Sequence, residues 1–183
     1  MIITFFDTET DSLIENSARR LDKQPRIIEL FALQMKQDGD GGAASFSEIG
    51  TYNQLFAYPR KLSEEVMKIT GLTDDDLAGK PAFAAKASEV AAFLTSGDRV
   101  VAHNLSYDKA VVEAELARLE KTISWPELLC TVEATEHLKG YRLSLTALHE
   151  YLFGEAFASA HRAENDVRAM ADCYMELVRR EEI

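Results

Sequence analysis

Cysteine and proline are scarce, with two Cys (Cys130 and Cys173) and four Pro in 183 residues. The cysteines form no CxxC pair and cannot build a disulfide framework, so free thiols in a reducing cytoplasm are expected. At 46% hydrophobic residues the chain is neither collagenous nor disordered. No run of about 18 apolar residues occurs, which excludes a helix that crosses a membrane. The opening Met1-Ile2-Ile3-Thr4-Phe5-Phe6-Asp7 lacks a basic n-region and meets an acid at once, unlike a signal peptide. Positive charge is also short: 20 Lys and Arg stand against 31 Asp and Glu, a net charge of −11. That balance argues against a non-specific nucleic-acid binder coated in basic residues. It leaves room for an enzyme on nucleic acid whose acidic site is neutralised by divalent metals.

What is present describes one α/β domain over residues 1–183. Residues 2–6 read as a buried strand, 27–35 as a second, and 52–58 as a third closed by Pro59. Asp38-Gly39-Asp40-Gly41-Gly42 reads as a hairpin tip. Ser63 caps a short helix ending near Gly71, and Thr73 opens another turn. Residues 81–96 form an Ala-rich helix, 99–102 a fourth strand, and 107–119 a helix. A fifth strand lies within 123–131, followed by helices over 132–138 and 144–153 and a last amphipathic one over 163–179.

The first strand ends in Asp7-Thr8-Glu9-Thr10. At a period of two, Asp7 and Glu9 share one face while Phe6 and Thr8 take the other. Two acids side by side beyond an apolar strand suit a hard divalent cation with oxygen ligands, Mg²⁺ or Mn²⁺; two solvated acids at a strand end fit as well. His103 and Asn104 lie at a strand-to-helix turn, a common place for ligand contacts, and Asp108 follows in the first helical turn. Taken alone, Asp108 reads first as an acid complementing the helix dipole. His161 and Asp166 precede and open the final helix. An i,i+5 pair is about 140° apart on a helix, so the two converge only if His161 sits on the preceding loop.

The order Asp-x-Glu, then His-Asn with Asp108, then His161-x4-Asp166 resembles the DEDDh group of the DnaQ-like 3′→5′ exonuclease family, which includes proofreading subunits of bacterial polymerases. Ile27-Ile28-Glu29-Leu30, Ile69-Thr70-Gly71-Leu72 and Leu143-Ser144-Leu145-Thr146-Ala147-Leu148 add to the likeness, which spans nearly the whole chain. The resemblance implies a ribonuclease H-like mixed five-stranded sheet flanked by helices. It implies that Asp7, Glu9, Asp108 and Asp166 hold two Mg²⁺ or Mn²⁺ ions and that His161 is the general base, all five being catalytic. The implied reaction releases nucleoside 5′-monophosphates from the 3′ end of DNA, single-stranded by preference. The implied partners are nucleic-acid 3′ ends and a DNA polymerase or other DNA-processing machine, in the cytoplasm.

Substrate contacts are expected from Thr8 and Thr10 beside the acids, from Leu13 and Tyr107 against bases, from His103 and Asn104, and from Arg142 with Lys139 on phosphates. Arg19, Arg20, Lys23 and Arg26 form a second basic stretch, equally readable as solvated loop charge. Asp11-Ser12-Leu13 departs from the Thr-Gly-Leu frequent in the family, so this loop is expected to differ, and residues 14–26 and 38–50 look long. The chain stops at Ile183, directly after the domain, which predicts no polymerase-tethering tail. The Asp38–Gly42 tip lacks the oxygen ligands of a calcium loop. A ribonuclease H-like endonuclease, an RNA-trimming exoribonuclease and an inert nucleic-acid-binding module on the same fold are the rival readings. No motif reports on the 2′-hydroxyl, or separates proofreading from end trimming.

Overall fold

The computed structural model describes residues 1–14, 20–157 and 162–183. The apolar run Ile3-Thr4-Phe5-Phe6 seeds strand β1 (Ile2–Thr10), which continues through Asp7 and Glu9, beyond the expected 2–6. β1 pairs antiparallel with β2 (Ile27–Asp38), and β2 pairs antiparallel with β3 (Ser45–Leu55). On its other side β1 runs parallel to β4 (Arg99–Ala102), which runs parallel to β5 (Glu127–Cys130). The order is β3-β2-β1-β4-β5, the mixed five-stranded, ribonuclease H-like sheet that was expected.

The helices are α1 (Glu64–Thr70), α2 (Asp74–Leu77), α3 (Phe83–Thr95), α4 (Leu105–Ala117), α5 (Thr131–Ala134), α6 (Glu136–Lys139), α7 (Leu145–Phe153) and α8 (Ala163–Arg179). Alternation along the strands divides the core in two. Phe6, Leu30, Ala32, Val100 and Ala102 pack against α3 and α4. Ile3, Phe5, Phe31, Leu33 and Val101 pack against Val167, Met170 and Tyr174 of α8. α7 closes the outer side of α8 through Leu148, Leu152, Cys173 and Leu177. Both cysteines are free thiols.

Two boundaries differ from the sequence reading. The third strand spans Ser45–Leu55 rather than 52–58, so most of residues 38–50 is hairpin and not an insertion. It is a largely exposed edge strand, and its Ser, Glu, Gly and Thr residues carry little hydrophobic signal. The helix expected over 132–138 is two short turns meeting at Thr135. At the far end of β1 the pairing slips between Glu9 and Thr10 (Glu9 faces Glu29, Thr10 faces Ile27). This bulge frees Ile28 to pack with Leu62, Leu72 and Leu77 beneath α1 and α2.

Candidate active site

The period-two reading of β1 holds. Asp7 and Glu9 lie on the α8 side, where their carboxylate oxygens and one of Asp166 come within 4.8 Å of one another. Asp166 reaches them from the first turn of α8, whose apolar face is anchored by Val167 and Met170. Thr8 points the opposite way, and its backbone N–H (3.0 Å) and hydroxyl (2.7 Å) both donate to Asp108 Oδ1. Asp108 is buried because it shares the inner stripe of α4 with Leu105 and Val112. It therefore meets β1, which goes beyond a surface acid on the helix dipole. Asp108 stands outside the 4.8 Å trio, but its charge adds to the repulsion felt at Asp7.

Asp7, Glu9 and Asp108 all resist ionisation. Burial first, then the charges of Asp108, Glu9, Asp166 and Glu29, hold the Asp7 carboxyl well above its usual range. Burial and the charges of Asp166, Glu29 and Asp108 push Glu9 up to about 8, with Arg162 opposing. Asp108 rises to about 7 through burial, against the two Thr8 hydrogen bonds. Converging carboxylate oxygens that resist ionisation together are a donor set for a hard divalent cation, and Mg²⁺ or Mn²⁺ fits it. His161 lies outside the described residues.

A cavity of about 570 Å³ opens beside the acids. Thr8, Glu9, Thr10, Leu13 and Tyr107 line it, together with Val66 and Ile69 of α1. The Tyr107 hydroxyl shares a 2.6 Å hydrogen bond with Thr10 Oγ1 and donates to Ser12 O (3.0 Å), which fixes the turn leaving β1. Leu13 is 81% exposed at the rim. Asp11 accepts from Arg26 N (2.6 Å) and the Tyr58 hydroxyl (2.7 Å), so the departing loop is tied to the start of β2.

His103 has protein partners at both ring nitrogens: Nε2 donates to Leu143 O (3.2 Å) and Nδ1 accepts from Thr131 Oγ1 (2.9 Å). Only the Nε2–H tautomer satisfies both, since a carbonyl can only accept. Burial pushes its pKa down to about 4, so it is neutral at pH 7 and braces the segment before α7. Asn104 adopts a left-handed conformation (φ 66°) at the start of α4, which a short amide side chain tolerates. Its Oδ1 accepts from Arg142 Nη2 (3.1 Å), leaving Arg142 exposed but tethered.

The second basic stretch is largely spent on intramolecular contacts. Arg20 pairs with Asp22 and Arg26 with Glu115, while Arg19 lies outside the described residues. Sequence reasoning assigned no role to Arg118, which donates to the carbonyls of Leu21, Gln24 and Pro25 and so pins the loop before β2. It also gave none to Val66 and Ile69. An apolar residue left on the outer side of a capped, amphipathic turn was the available signal.

A sheet whose central strand ends in two acids facing a third on the last helix is the arrangement that the resemblance to DnaQ-like nucleases implies. The exonuclease family profile RNase_T matches residues 4–174, and the chain belongs to that family. DNA polymerase III subunit epsilon of Treponema pallidum (strain Nichols) is 29% identical over 181 residues, covering 96% of this chain and 75% of the relative. The subunit of that name from Escherichia coli (strain K12) is 27% identical over 178 residues, covering 93% and 69%. In fold, the chain is similar to exonuclease X in complex with 5′ overhanging duplex DNA (TM-score 0.65, 22% identity, 96% and 90% covered). It is also similar to the zinc-bound Escherichia coli ExoI–ssDNA complex (TM-score 0.74, 17% identity, 96% and 40% covered).

Proposed function

We propose that the protein is a 3′→5′ exonuclease that hydrolyses DNA, single strands by preference, and releases nucleoside 5′-monophosphates. The observation that carries this reading is the meeting of Asp7, Glu9 and Asp166 within 4.8 Å at the edge of a nucleotide-sized cavity. Asp7, Glu9 and Asp166, with Asp108 behind Thr8, would hold two Mg²⁺ or Mn²⁺ ions. Bound there, the ions supply an activated water and neutralise charge on the leaving 3′ oxygen. The protein's own groups do the rest. His161 takes the proton of the attacking water, as the family resemblance implies. Val66 and Ile69 offer an apolar wall to the terminal base, with Leu13 at the rim, while Thr10 and Tyr107 hold the turn that carries Leu13 in place. Arg142, tethered by Asn104, would offer a guanidinium to a substrate phosphate. The names of the relatives support a polymerase as partner; one domain over residues 1–183 and action in the cytoplasm belong to the same proposal.

A panel of 5′-labelled single-stranded DNA, mismatched primer and RNA with Mg²⁺ or Mn²⁺ tests this reading. Stepwise shortening of the DNA strand, blocked by a 3′-phosphate, is expected. His161→Ala should slow the reaction about 10²–10⁴-fold while DNA binding persists. Cutting of a circular single strand would make the protein an endonuclease, and faster digestion of RNA an exoribonuclease. Binding without hydrolysis in either metal would make it an inert module.

A further inference from the structure

Glu29 sits mid-sheet on β2, 2% exposed, directly opposite Glu9 in the antiparallel register. A carboxylate in that place needs partners, and two residues donate three hydrogen bonds to it. Arg162 donates to it from Nε (3.2 Å) and Nη2 (2.9 Å), and the backbone N–H of Ala163 donates at 3.3 Å. Arg162 and Ala163 open α8, and Asp166 N closes the first helical bond onto Arg162 O at 3.1 Å. A continuous chain of contacts thus runs from the strand neighbour of Glu9 to Asp166. A buried ion pair adds little net stability compared with apolar side chains of the same size, so the consequence of this one lies in geometry.

We propose that Glu29 is a positioning residue: through Arg162 and the Ala163 amide it sets the first turn of α8 so that Asp166 meets Asp7 and Glu9 at the spacing of a shared divalent cation. The inference rests on the metal-dependent nuclease reading above. It differs in sign from plain electrostatics. Arg162 is a cation beside an acidic cluster, and by Coulomb's law alone its removal should tighten divalent binding. If Arg162 is half of a clamp, its removal should weaken binding.

The test is calorimetric titration of Mn²⁺ into the full chain without DNA, alongside kcat and KM on a short 5′-labelled single strand. Circular dichroism before each run fixes the folded fraction. Arg162→Ala and Glu29→Ala should each weaken Mn²⁺ binding and lower kcat by about 10–100-fold, the range for a residue that orients metal ligands. KM should stay within about 3-fold, because the cavity wall is untouched. The double variant should lose no more than the worse single one, since both break one linkage. Should Glu29→Ala fail to fold, Arg162→Ala carries the decision alone, because its side chain is 46% exposed and its removal opens no cavity. Mn²⁺ binding by Arg162→Ala as tight as wild type or tighter, or additive losses in the double variant, would overturn the clamp while leaving the nuclease intact. A wild-type protein that neither takes up Mn²⁺ nor digests DNA would overturn the nuclease reading itself.

Discussion

Burial and mutual repulsion raise Asp7, Glu9 and Asp108 together, and this makes the metal-free protein sensitive to pH. Glu9 moves from an ordinary 4.5 to about 8 and Asp108 from 3.8 to about 7 on folding. A carboxyl raised in this way keeps its proton in the folded state, so its stabilising contribution is complete below the ordinary value. That contribution is lost as pH climbs through the folded value. The melting temperature measured in a chelator should therefore be highest near pH 4 to 5 and fall through pH 7 to 8; a flat or rising curve would contradict the raised values of Glu9 and Asp108. Mg²⁺ or Mn²⁺ at pH 8 should restore it. Asp7→Ala should abolish nuclease activity yet leave the metal-free melting temperature unchanged or higher, because one mutually repelling charge is gone. Near wild-type turnover by that variant would remove Asp7 from the site. That the two strand acids share a face was legible from period two alone, while their metal role came from the resemblance. Asp108 was ambiguous until its burial beside Leu105 and Val112 was known, and Glu29 was read as part of an apolar strand and of the family likeness, with no role of its own. A lone acid within Ile27-Ile28-Glu29-Leu30 implies a cationic partner, but that cation lies more than a hundred residues away at Arg162.

Helix α1 shows how a short element is fixed locally and then lends one face to the site. Ser63 accepts from Val66 N, and Gly71 ends the turn with φ at 70°, as their residue types foretold. Thr73 and Asp76 close a capping box on α2 directly after it. With both ends pinned, Val66 and Ile69 face the cavity, and Ile69 stays 48% exposed. An apolar side chain held in water at a cavity mouth waits for an apolar ligand surface. Ile69→Ser should raise KM for a short single strand about 5- to 20-fold, with kcat and melting temperature nearly unchanged, as expected when binding is lost equally from ground and transition states. A drop in kcat with KM intact would place Ile69 in the chemistry instead. Edge strand β3 is the counterexample for legibility. Its pairing with β2 is set by the backbone ladder and not by buried side chains, so its first half left no periodic trace.

Charge across the molecule decides how it can hold a polyanion. The net charge is −11, and among the described residues many cations near the site are already engaged. Arg20 is bound to Asp22, Arg26 to Glu115 and Arg162 to Glu29, while Lys139 lies over the Tyr151 ring. Arg142 is exposed but held by Asn104. Cations engaged in this way leave a strand few phosphate contacts, with Lys23 and Arg60 beside Asp11 and Ser12 as further candidates. On the proposed function, affinity would then come from the bound metals and from the apolar cavity wall, and neither releases many counterions. For single strands each neutralised phosphate contributes about −0.7 to the slope of log K against log salt. Fluorescence anisotropy of a labelled single strand, bound to His161→Ala in Mn²⁺, should give a slope of only about −1 to −2 between 50 and 300 mM salt. Removing the metal should abolish binding, because the strand would then meet the bare carboxylates. A slope steeper than about −4, or undiminished binding in chelator, would show a basic track that bypasses the acidic site. The strand would in that case be held by its backbone along the surface, and the cavity beside Glu9 would not set the affinity.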